Sequence, residues 1–372
     1  MNFSYWEQKS FIGNIDVMVI GAGITGLSTA IHLKKSQPNL SVKILERGMM
    51  PWGASSKNAG FACFGSLGEL ISDLKHSSMD EILELIRFRS EGLDLLASLL
   101  GEKKIDLLKL GGYELFQANQ QETFEQCLDH METFNLLLKD VIGPNVYNIS
   151  EVDFGFKGVV GIIKNNFEGQ IDTGKMMQAY LSLAKSYGIE VINGAEVIAI
   201  TDQNKVQLQL KDGLQIESNH VIVCANGFAK QLLQEDVKPA RAQVLITKPL
   251  EKLPFKGTFH YDEGYYYFRN INNRILLGGG RNLDIEGETT AIMENTKGIT
   301  EELKRLLSEV ILPNTKHEID YSWAGIMGVG QQKSPIIKTI SENISCAVRM
   351  GGMGVAIGSL VGKKAAEMYL RK

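Results

Sequence analysis

A glycine-rich turn between an apolar run and a helical pattern constrains this chain more than any other feature of its sequence. Residues 17–20 are apolar and predict a buried strand, and Gly21, Gly23 and Gly26 follow it with the spacing G-x-G-x-x-G. The first glycine permits the turn, the second lets an anion reach the backbone, and the third lets the helix pack closely on the strand. Because the start of that helix carries free N–H groups, the pattern predicts an anion site.

A second strand ends on an acidic residue at the distance that a dinucleotide site requires. Residues 41–46 predict a strand, and its last residue, Glu46, lies twenty positions after Gly26. A carboxylate at this point can accept both hydroxyls of an adenosine ribose, and it disfavours a 2′-phosphate. The unit is therefore predicted to bind FAD or NAD rather than NADP. The alternative is a glycine-rich turn in an unrelated α/β domain.

Length and composition limit the class of protein. The chain has 372 residues, more than a single core usually fills, so two domains are expected. A net charge of −4 without a long basic run gives no reason to expect nucleic acid as a partner. No apolar run is long enough for a membrane span, and the N-terminus lacks the pattern of a secretory signal. The cytoplasm is the expected location.

The cysteines give no sign of a cross-linked or metal-binding framework. Cys63, Cys127, Cys224 and Cys346 are scattered along the chain and include no C-x-x-C pair. This distribution fits neither a disulfide framework nor a zinc site. No metal site is therefore predicted from the sequence.

The segment after the second strand is predicted to be a loop that lies against a flat ligand. Residues 47–66 are small and polar, with several glycines and a few aromatic side chains. Ala54, Ser55 and Gly60 permit a close approach of the backbone, and the hydroxyls and Asn58 can donate hydrogen bonds to phosphate oxygens. The alternative is a solvated surface loop.

The remaining patterns divide the chain into two kinds of structure. Three patterns depart from a nucleotide-binding layout and are assigned to a second domain. They are a helical pattern over 67–100, a strand over 108–116 and an amphipathic helix over 122–138. Four further patterns are assigned to the first domain: a capped helix over 171–188, a strand over 190–200, a hairpin at 211–213 and an apolar strand over 220–227. Period-two alternation between about 238 and 320 predicts a largely antiparallel sheet, interrupted by a helix over 301–311.

A second glycine-rich turn lies near the C-terminus. A strand over 345–350 leads into Gly351, Gly352 and Gly354, and a helical pattern follows. The N-terminus of this helix offers free N–H groups and a positive dipole to an anionic atom of a cofactor. Alternatively, these are simple packing glycines.

Taken together, these motifs resemble those of the D-amino acid oxidase, glycine oxidase and sarcosine oxidase superfamily of FAD enzymes. The resemblance rests on the first glycine turn, Glu46, the motifs over 54–60, 167–173 and 224–227, and the terminal Gly-Gly-Met-Gly-Val. Their order and spacing cover almost the whole chain. The Ser-Tyr-Trp start and the 54–60 loop look most similar to the γ-glutamylputrescine oxidase branch, which acts on amines.

The resemblance implies an α/β fold of two interleaved domains. One is a Rossmann-like FAD-binding domain with a parallel sheet and helices, expected over residues 1–75, 145–235 and 321–372. The other is an α+β substrate domain built on an antiparallel sheet, expected over residues 76–144 and 236–320. The antiparallel sheet is expected to cover the reactive face of the flavin.

The resemblance also assigns residues to the cofactor, FAD. Val197 is expected to reach the adenine through its backbone, and the N–H groups at residues 352–354 are expected to face the flavin edge where negative charge develops on reduction. The full set expected to hold the ADP half, the pyrophosphate and the ring is Gly21, Gly23, Ile24, Thr25, Gly26, Glu46, Arg47, Ala54, Ser55, Ser56, Asn58, Ala59, Gly60, Val197, Ala225, Gly227, Gly351, Gly352, Met353 and Gly354.

Three departures from the family pattern concern the substrate and the electron acceptor. Members that oxidise amino acids commonly carry an arginine after the Trp-x-Gly of the last strand, where this chain has Met327. A second position that is sometimes cationic is filled by Gly352 or Met353. The lysine that activates oxygen in sarcosine oxidase has no counterpart in residues 274–278. Both usual anchors for an α-carboxylate are therefore expected to be absent.

The candidates for substrate binding lie on the predicted antiparallel sheet. Strand alternation places Tyr265, Tyr267 and Arg269 on one face, and the two residues between them on the other. A tyrosine hydroxyl within aromatic walls suits an amine, and Arg269 could hold a distal carboxylate. The alternative is aromatic core packing with a surface arginine. Arg281 and, as a base, His260 are further candidates, although a lone histidine is more often structural.

The leading hypothesis is an FAD-dependent oxidoreductase. It would move hydride from a C–N bond of a small amine or amino-acid derivative to flavin N5 and release an imine that water hydrolyses, with O2 or another electron acceptor completing the cycle. One alternative is flavin-dependent oxidation of a C–OH bond in a 2-hydroxy acid or polyol phosphate. Another is a flavin-binding protein without turnover.

Overall fold

The computed structural model describes residues 3–371, in which helices and strands alternate along the chain. The helices are α1 (Tyr5–Glu7), α2 (Ile24–Ser36), α3 (Leu67–Asp73), α4 (Met79–Leu100), α5 (Gln121–Leu138), α6 (Thr173–Ser186), α7 (Lys297–Leu306) and α8 (Gly354–Leu370). The strands are β1 (Val17–Ile20), β2 (Val42–Glu46), β3 (Phe61–Ala62), β4 (Gly112–Gln117), β5 (Tyr147–Ile149), β6 (Val159–Asn165), β7 (Gly169–Gln170), β8 (Glu190–Asn193), β9 (Val197–Thr201), β10 (Val206–Leu210), β11 (Gln215–Ser218), β12 (His220–Val223), β13 (Lys238–Thr247), β14 (Thr258–Tyr261), β15 (Tyr266–Ile271), β16 (Arg274–Gly279), β17 (Ile319–Val329), β18 (Ile336–Ser341) and β19 (Ile344–Val348).

A six-stranded sheet carries the first glycine turn. Its strand order is β18-β19-β12-β1-β2-β8, and all neighbours are parallel except β18 and β19. β1 is buried along its whole length because its apolar side chains face packed layers on both sides of the sheet. Since β1 lies between β12 and β2, the turn that follows it opens at the middle of the carboxyl edge of the sheet, where ligands of such sheets bind.

Helices α2 and α8 pack together on one face of this sheet. The contact is close because glycines lie where the backbones meet: a Cβ on Gly362 would lie 2.5 Å from the carbonyl oxygen of Thr25. Within the turn itself, a Cβ on Gly26 would lie 1.9 Å from the carbonyl oxygen of Gly21. The predicted role of Gly26 in close helix packing matches this geometry. The N-termini of both helices consequently point toward the same region.

An eight-stranded sheet lies over that region. Its order is β17-β13-β16-β15-β14-β4-β6-β5, and it is antiparallel except for the pair of β14 and β4. One face packs on α7, where Phe268 and Tyr266 join a core with Ile299 and Leu303. The predicted alternation is confirmed, because Tyr267 points to the opposite face, toward the six-stranded sheet. The predicted combination of a parallel and an antiparallel sheet is therefore confirmed.

Some predicted boundaries differ from the structure. The helical pattern over 67–100 is two helices, because the hydroxyl of Ser78 accepts a hydrogen bond from the N–H of Glu81 and starts α4. By sheet membership, β5, β6 and most of β17 belong with the eight-stranded sheet, although the sequence assigned residues 145–235 and 321–372 to the FAD-binding domain. Strand partners are set by long-range hydrogen bonds, which periodicity does not reveal. The division into domains stays a prediction.

Within residues 3–371, none of the helices has the length and apolar character that crossing a membrane would require.

The close contact between Gly26 and the carbonyl oxygen of Gly21 can be tested through the stability of the fold. We expect Gly26→Ala to lower the melting temperature, because its methyl group would overlap the Gly21 carbonyl oxygen; the cost of such overpacking is about 1–3 kcal/mol. Gly298→Ala is the matched control, since it lies exposed in α7 and its Cβ would meet nothing within 4 Å. Thermal unfolding of both variants checks this. Equal melting temperatures for the two variants would contradict the packing role.

Candidate active site

A cavity of about 750 Å³ lies between the two sheets. Most of the residues predicted for the site line it: Gly21, Gly23, Ile24, Thr25, Glu46, Arg47, Ala54, Ser55, Asn58, Ala59, Gly60, Val197, Ala225, Tyr265, Tyr267, Met327, Gly351, Gly352, Met353 and Gly354. Those that do not line it are Gly26, Ser56, Gly227 and Arg269. The cavity thus brings both glycine turns, the 54–60 loop and the face of the eight-stranded sheet together.

The first glycine turn presents backbone N–H groups to the cavity. Gly21 has a φ of +105°, a conformation that favours glycine, and this directs the chain from β1 into α2. Gly23 is the N-cap of α2 and provides no side chain to cap it. The hydroxyl of Ser55 accepts a hydrogen bond from the N–H of Ile24 at 3.0 Å. Gly21 and Ala22 also donate their N–H groups within the protein, to Leu45 and Glu46. The N–H groups of Gly23 and Thr25, together with the helix dipole, suit a phosphate group.

Glu46 is fixed at the end of β2 by backbone donors. One carboxylate oxygen accepts from the N–H of Ala22 at 3.0 Å, and the other accepts from the N–H groups of Gly48 at 3.0 Å and Trp52 at 3.4 Å. The residue is only 5% exposed. A carboxylate can accept about four hydrogen bonds, so this one retains capacity for a further donor such as a ribose hydroxyl.

The 54–60 loop is held by its own side chains. The amide of Asn58 donates to the carbonyl oxygen of Ser55 at 2.8 Å, and its oxygen accepts from the N–H of Gly60 at 2.8 Å. Ser56 differs from its predicted role, because its hydroxyl donates to the carbonyl oxygen of Pro51 at 2.6 Å and does not reach the cavity. The loop therefore presents a preformed backbone surface to the cavity.

The second glycine turn is open to the cavity rather than packed against protein. A Cβ on Gly351 would meet no atom of residues 3–371 within 4 Å, and one on Gly352 would meet only the Sδ of Met327 at 3.9 Å. This argues against the alternative of simple packing glycines. Gly351 has a φ of +57°, which starts the turn into α8. Met353, the N-cap of α8, forms no side-chain cap, so the first N–H groups of the helix remain available.

Gly26 and Gly227 act in packing instead of binding. A Cβ on Gly227 would lie 2.3 Å from the carbonyl oxygen of Met327, so this glycine allows the chain after β12 to pack on β17. Ala225, two residues earlier, does line the cavity. The motif over 224–227 thus contributes three wall residues, Cys224, Ala225 and Asn226, and one packing residue.

Arg269 lies on the predicted face of β15 but does not line the cavity. Its guanidinium donates to the carbonyl oxygens of Gly60 at 3.0 Å and Ile171 at 2.8 Å, and the residue is only 2% exposed. Burial lowers the pKa of Arg269 to about 10. The prediction that it holds a substrate carboxylate is corrected by this placement, because the two carbonyl groups already use the side chain to fix the 54–60 loop on the sheet.

Tyr267 and Arg281 form the part of the sheet wall that can meet a small molecule. The ring of Tyr267 contacts Phe61 edge-on, with centroids 5.6 Å apart, and burial raises the pKa of its hydroxyl to about 12, so the hydroxyl stays neutral. The Nε of Arg281 is buried and has no hydrogen-bond partner among the described residues. Tyr265, at 39% exposure, lies toward the rim.

A charged cluster at the wall was not found by sequence reasoning. The carboxylate of Glu69 pairs with Arg89 at 3.2 Å and with Lys333 at 2.9 Å, and Lys333 also pairs with Asp73. Burial alone would raise the pKa of Glu69, but the two cations outweigh it and hold the pKa at about 2. Residues so far apart in the chain share no local pattern, so no sequence signal could have found them.

The residues of the cavity fit FAD. Two helix N-termini with glycine approaches suit a pyrophosphate and an anionic ring edge, and Glu46 lies at the end of β2 as a ribose requires. The cofactor supplies a hydride acceptor when it is bound. The fold and this site define the class of the protein as an FAD-dependent oxidoreductase.

The comparison with known families supports the same class. The chain belongs to the family described as FAD dependent oxidoreductase, whose profile matches residues 16–368. It is 23% identical to the γ-glutamylputrescine oxidoreductase of Escherichia coli strain K12, over 95% of this chain and 83% of that protein. It is 23% identical to the glycine oxidase of Bacillus licheniformis, over 95% of this chain and 93% of that protein.

A solved structure confirms the fold. The glycine oxidase from Geobacillus kaustophilus superposes with a TM-score of 0.76 at 20% sequence identity, covering 96% of this chain and 95% of that one. The fold and cofactor implied by the family resemblance are therefore confirmed, whereas the roles of individual site residues stay predictions.

The carboxylate of Glu46 provides a test of cofactor binding. We expect Glu46→Gln to weaken FAD binding roughly 10- to 100-fold, because a charged hydrogen bond contributes about 1.5–3 kcal/mol. Glu190→Gln is the control, since it lies on the neighbouring strand β8 and pairs with Lys43 away from the cavity. Titration of the FAD-free protein with FAD, followed by flavin fluorescence, measures both affinities. An unchanged affinity in Glu46→Gln would contradict the assignment.

Proposed function

We propose that the protein oxidises a C–N bond in a small amine or amino-acid derivative that carries a carboxylate. The class of the protein is FAD-dependent oxidoreductase, and the proposal adds the bond that is oxidised and the type of substrate. Both curated relatives described above are named for an amine or an amino acid, which supports a nitrogen substrate. The cytoplasmic location expected from the sequence stays a prediction.

The free guanidinium of Arg281 is the observation that carries the proposal. It lines the cavity just after β16, and it forms no ion pair with the carboxylates of residues 3–371. An arginine can bind a carboxylate through two parallel hydrogen bonds. By contrast, the cations Arg89 and Lys333 are already neutralised by Glu69 and Asp73. Arg47 and Lys57 also line the cavity without an ion pair, but they lie over the rings of Phe228 and Trp52. We therefore assign the anionic group of the substrate to Arg281.

Other wall residues are assigned to the uncharged parts of the substrate. The neutral hydroxyl of Tyr267 can orient an amine, and its ring together with Phe61 provides an apolar surface. Met327 stands where amino-acid-oxidising relatives commonly have an arginine. This substitution supports a substrate whose carboxylate lies away from the β17 side of the cavity, toward Arg281 on the β16 side.

Two alternatives to C–N oxidation make different predictions. A guanidinium binds the carboxylate of a 2-hydroxy acid as well as that of an amino acid, so Arg281 alone does not exclude oxidation of a C–OH bond. A flavin-binding protein without turnover would hold FAD and react with neither substrate class. The chemistry of the reacting atom therefore has to be tested directly.

Anaerobic bleaching of the flavin separates these functions. The FAD-loaded protein is mixed without oxygen with a panel of carboxylate-bearing amines and with 2-hydroxy acids and polyol phosphates of the same carbon skeletons. We expect bleaching by at least one amine and by none of the matched alcohols. Bleaching by the alcohols alone, or by neither panel, would contradict C–N oxidation. Admission of O2 or an artificial dye then identifies the electron acceptor.

Once a reactive amine has been identified, substitution of Arg281 tests whether this residue binds the carboxylate of the substrate. We expect Arg281→Met to raise KM roughly 10- to 100-fold, since one charged hydrogen-bonded pair is worth about 1.5–3 kcal/mol. The matched control is Arg305→Met, an exposed arginine that pairs with Glu302 and Glu309 in and after α7. Steady-state kinetics should show the loss for the carboxylate-bearing amine and a smaller loss for its decarboxylated analogue. Equal losses for the two amines would reject the carboxylate contact.

A further inference from the structure

Three side chains with metal-binding atoms meet at the wall of the cavity. They are Cys63, just after β3; Glu168, just before β7; and His260, in β14. The thiol sulfur, a carboxylate oxygen and an imidazole nitrogen all lie within 4.8 Å of one another. We propose that these three side chains form a site for one zinc ion. The inference is independent of the proposed function, in which none of the three residues takes part.

The distances match metal coordination better than hydrogen bonding. The Nε2 of His260 and the Oε2 of Glu168 are 3.6 Å apart, which is too long for a hydrogen bond. Two nitrogen or oxygen ligands at tetrahedral zinc are separated by about 3.4 Å, given bonds of about 2.0–2.1 Å. Both atoms are buried without a hydrogen-bond partner in the described part of the chain. Since buried polar atoms are normally satisfied, one shared cation would account for both.

Glu168 is held with one oxygen turned to the cluster. Its Oε1 accepts hydrogen bonds from the N–H groups of Phe64 at 3.0 Å and Gly65 at 3.1 Å, which follow Cys63 directly in the chain. The other oxygen lies against Gly112, where a Cβ would come within 2.1 Å of it. Outer hydrogen bonds of this kind orient metal-binding carboxylates. The absence of a side chain on Gly112 provides the room for Oε2.

Charge and ligand chemistry favour zinc. The fully buried carboxylate of Glu168 needs a cation beside it, and Cys63, at 7% exposure, adds a sulfur ligand at the same place. A carboxylate, a thiolate and a neutral imidazole neutralise one divalent ion, and this mixed set of oxygen, sulfur and nitrogen ligands suits zinc.

The position of the site opens one side of it to the cavity. Cys63 and His260 line the cavity, whereas Glu168 lies behind them. Three protein ligands leave a fourth position on tetrahedral zinc for water or a small molecule. We place this position on the cavity side, near Phe61, whose ring lies 5.2 Å from that of His260. The ion would also tie the ends of three separate segments together.

Metal content and a cobalt probe test the site in the FAD-loaded full chain. We expect about one zinc per chain by elemental analysis, and, after its removal, Co²⁺ binding with a thiolate charge-transfer band. Cys63→Ser and His260→Asn should weaken metal binding at least about tenfold. Gly112→Ala, which keeps all three ligands but displaces Glu168, should also weaken it. A chelator should lower the melting temperature, and added zinc should restore it.

The control is Cys127→Ala, a buried cysteine of α5 outside the cluster, which should retain zinc and the cobalt spectrum. Failure of the purified protein to bind added zinc or cobalt would overturn the proposal. So would equal metal binding by the wild type, Cys63→Ser and His260→Asn. In either case Glu168 and His260 form an ion pair without a metal. Flavin content and bleaching are measured separately, so this outcome leaves the proposed oxidation unaffected.

Discussion

The contact between Arg269 and two backbone carbonyls fixes the relation of the loop to the sheet above it. Gly60 belongs to the loop that follows the six-stranded sheet, Ile171 follows β7, and Arg269 reaches both from β15. Both hydrogen bonds come from the same nitrogen, Nη1, which joins the two segments to β15, while the buried Nε has no partner among the described residues. The shape of the cavity depends on how the two segments lie against the sheet. A residue that looks like a substrate anchor in the sequence is thus part of the frame around the substrate.

Buried carboxylates near the cavity are stabilised mainly by N–H and O–H donors. Glu46 accepts three backbone hydrogen bonds, and Glu168 accepts two. Glu114 accepts from the hydroxyl of Ser66 and the N–H of Gly68, but burial outweighs both and raises its pKa to about 7. None of these three carboxylates pairs with Arg281, whereas Glu69 and Asp73 pair with Arg89 and Lys333. Arg281 thus remains without an acidic partner among the described residues.

The parts of the site that a sequence can predict are those encoded within one short segment. The strand, turn and helix around Gly21, and the acidic end of β2, follow from local periodicity and spacing, and the structure has them where they were predicted. Periodicity also gave the correct face for Arg269, but it contains no information about which carbonyl groups would cover that face. The meeting of Cys63 with His260, nearly two hundred residues later, depends on how β3 and β14 are brought together by the sheets. Such contacts arise from tertiary packing alone.

The second glycine turn is also joined to the eight-stranded sheet. The N–H of Gly351 donates to the carbonyl oxygen of Gly328 in β17 at 2.9 Å, and β17 in turn pairs with β13 over most of its length. The two walls of the cavity are thereby part of one hydrogen-bonded frame. Glu263 and Lys333 are among the exposed side chains that line the cavity. Separating the two walls of the cavity would require the hydrogen bonds of this frame to break.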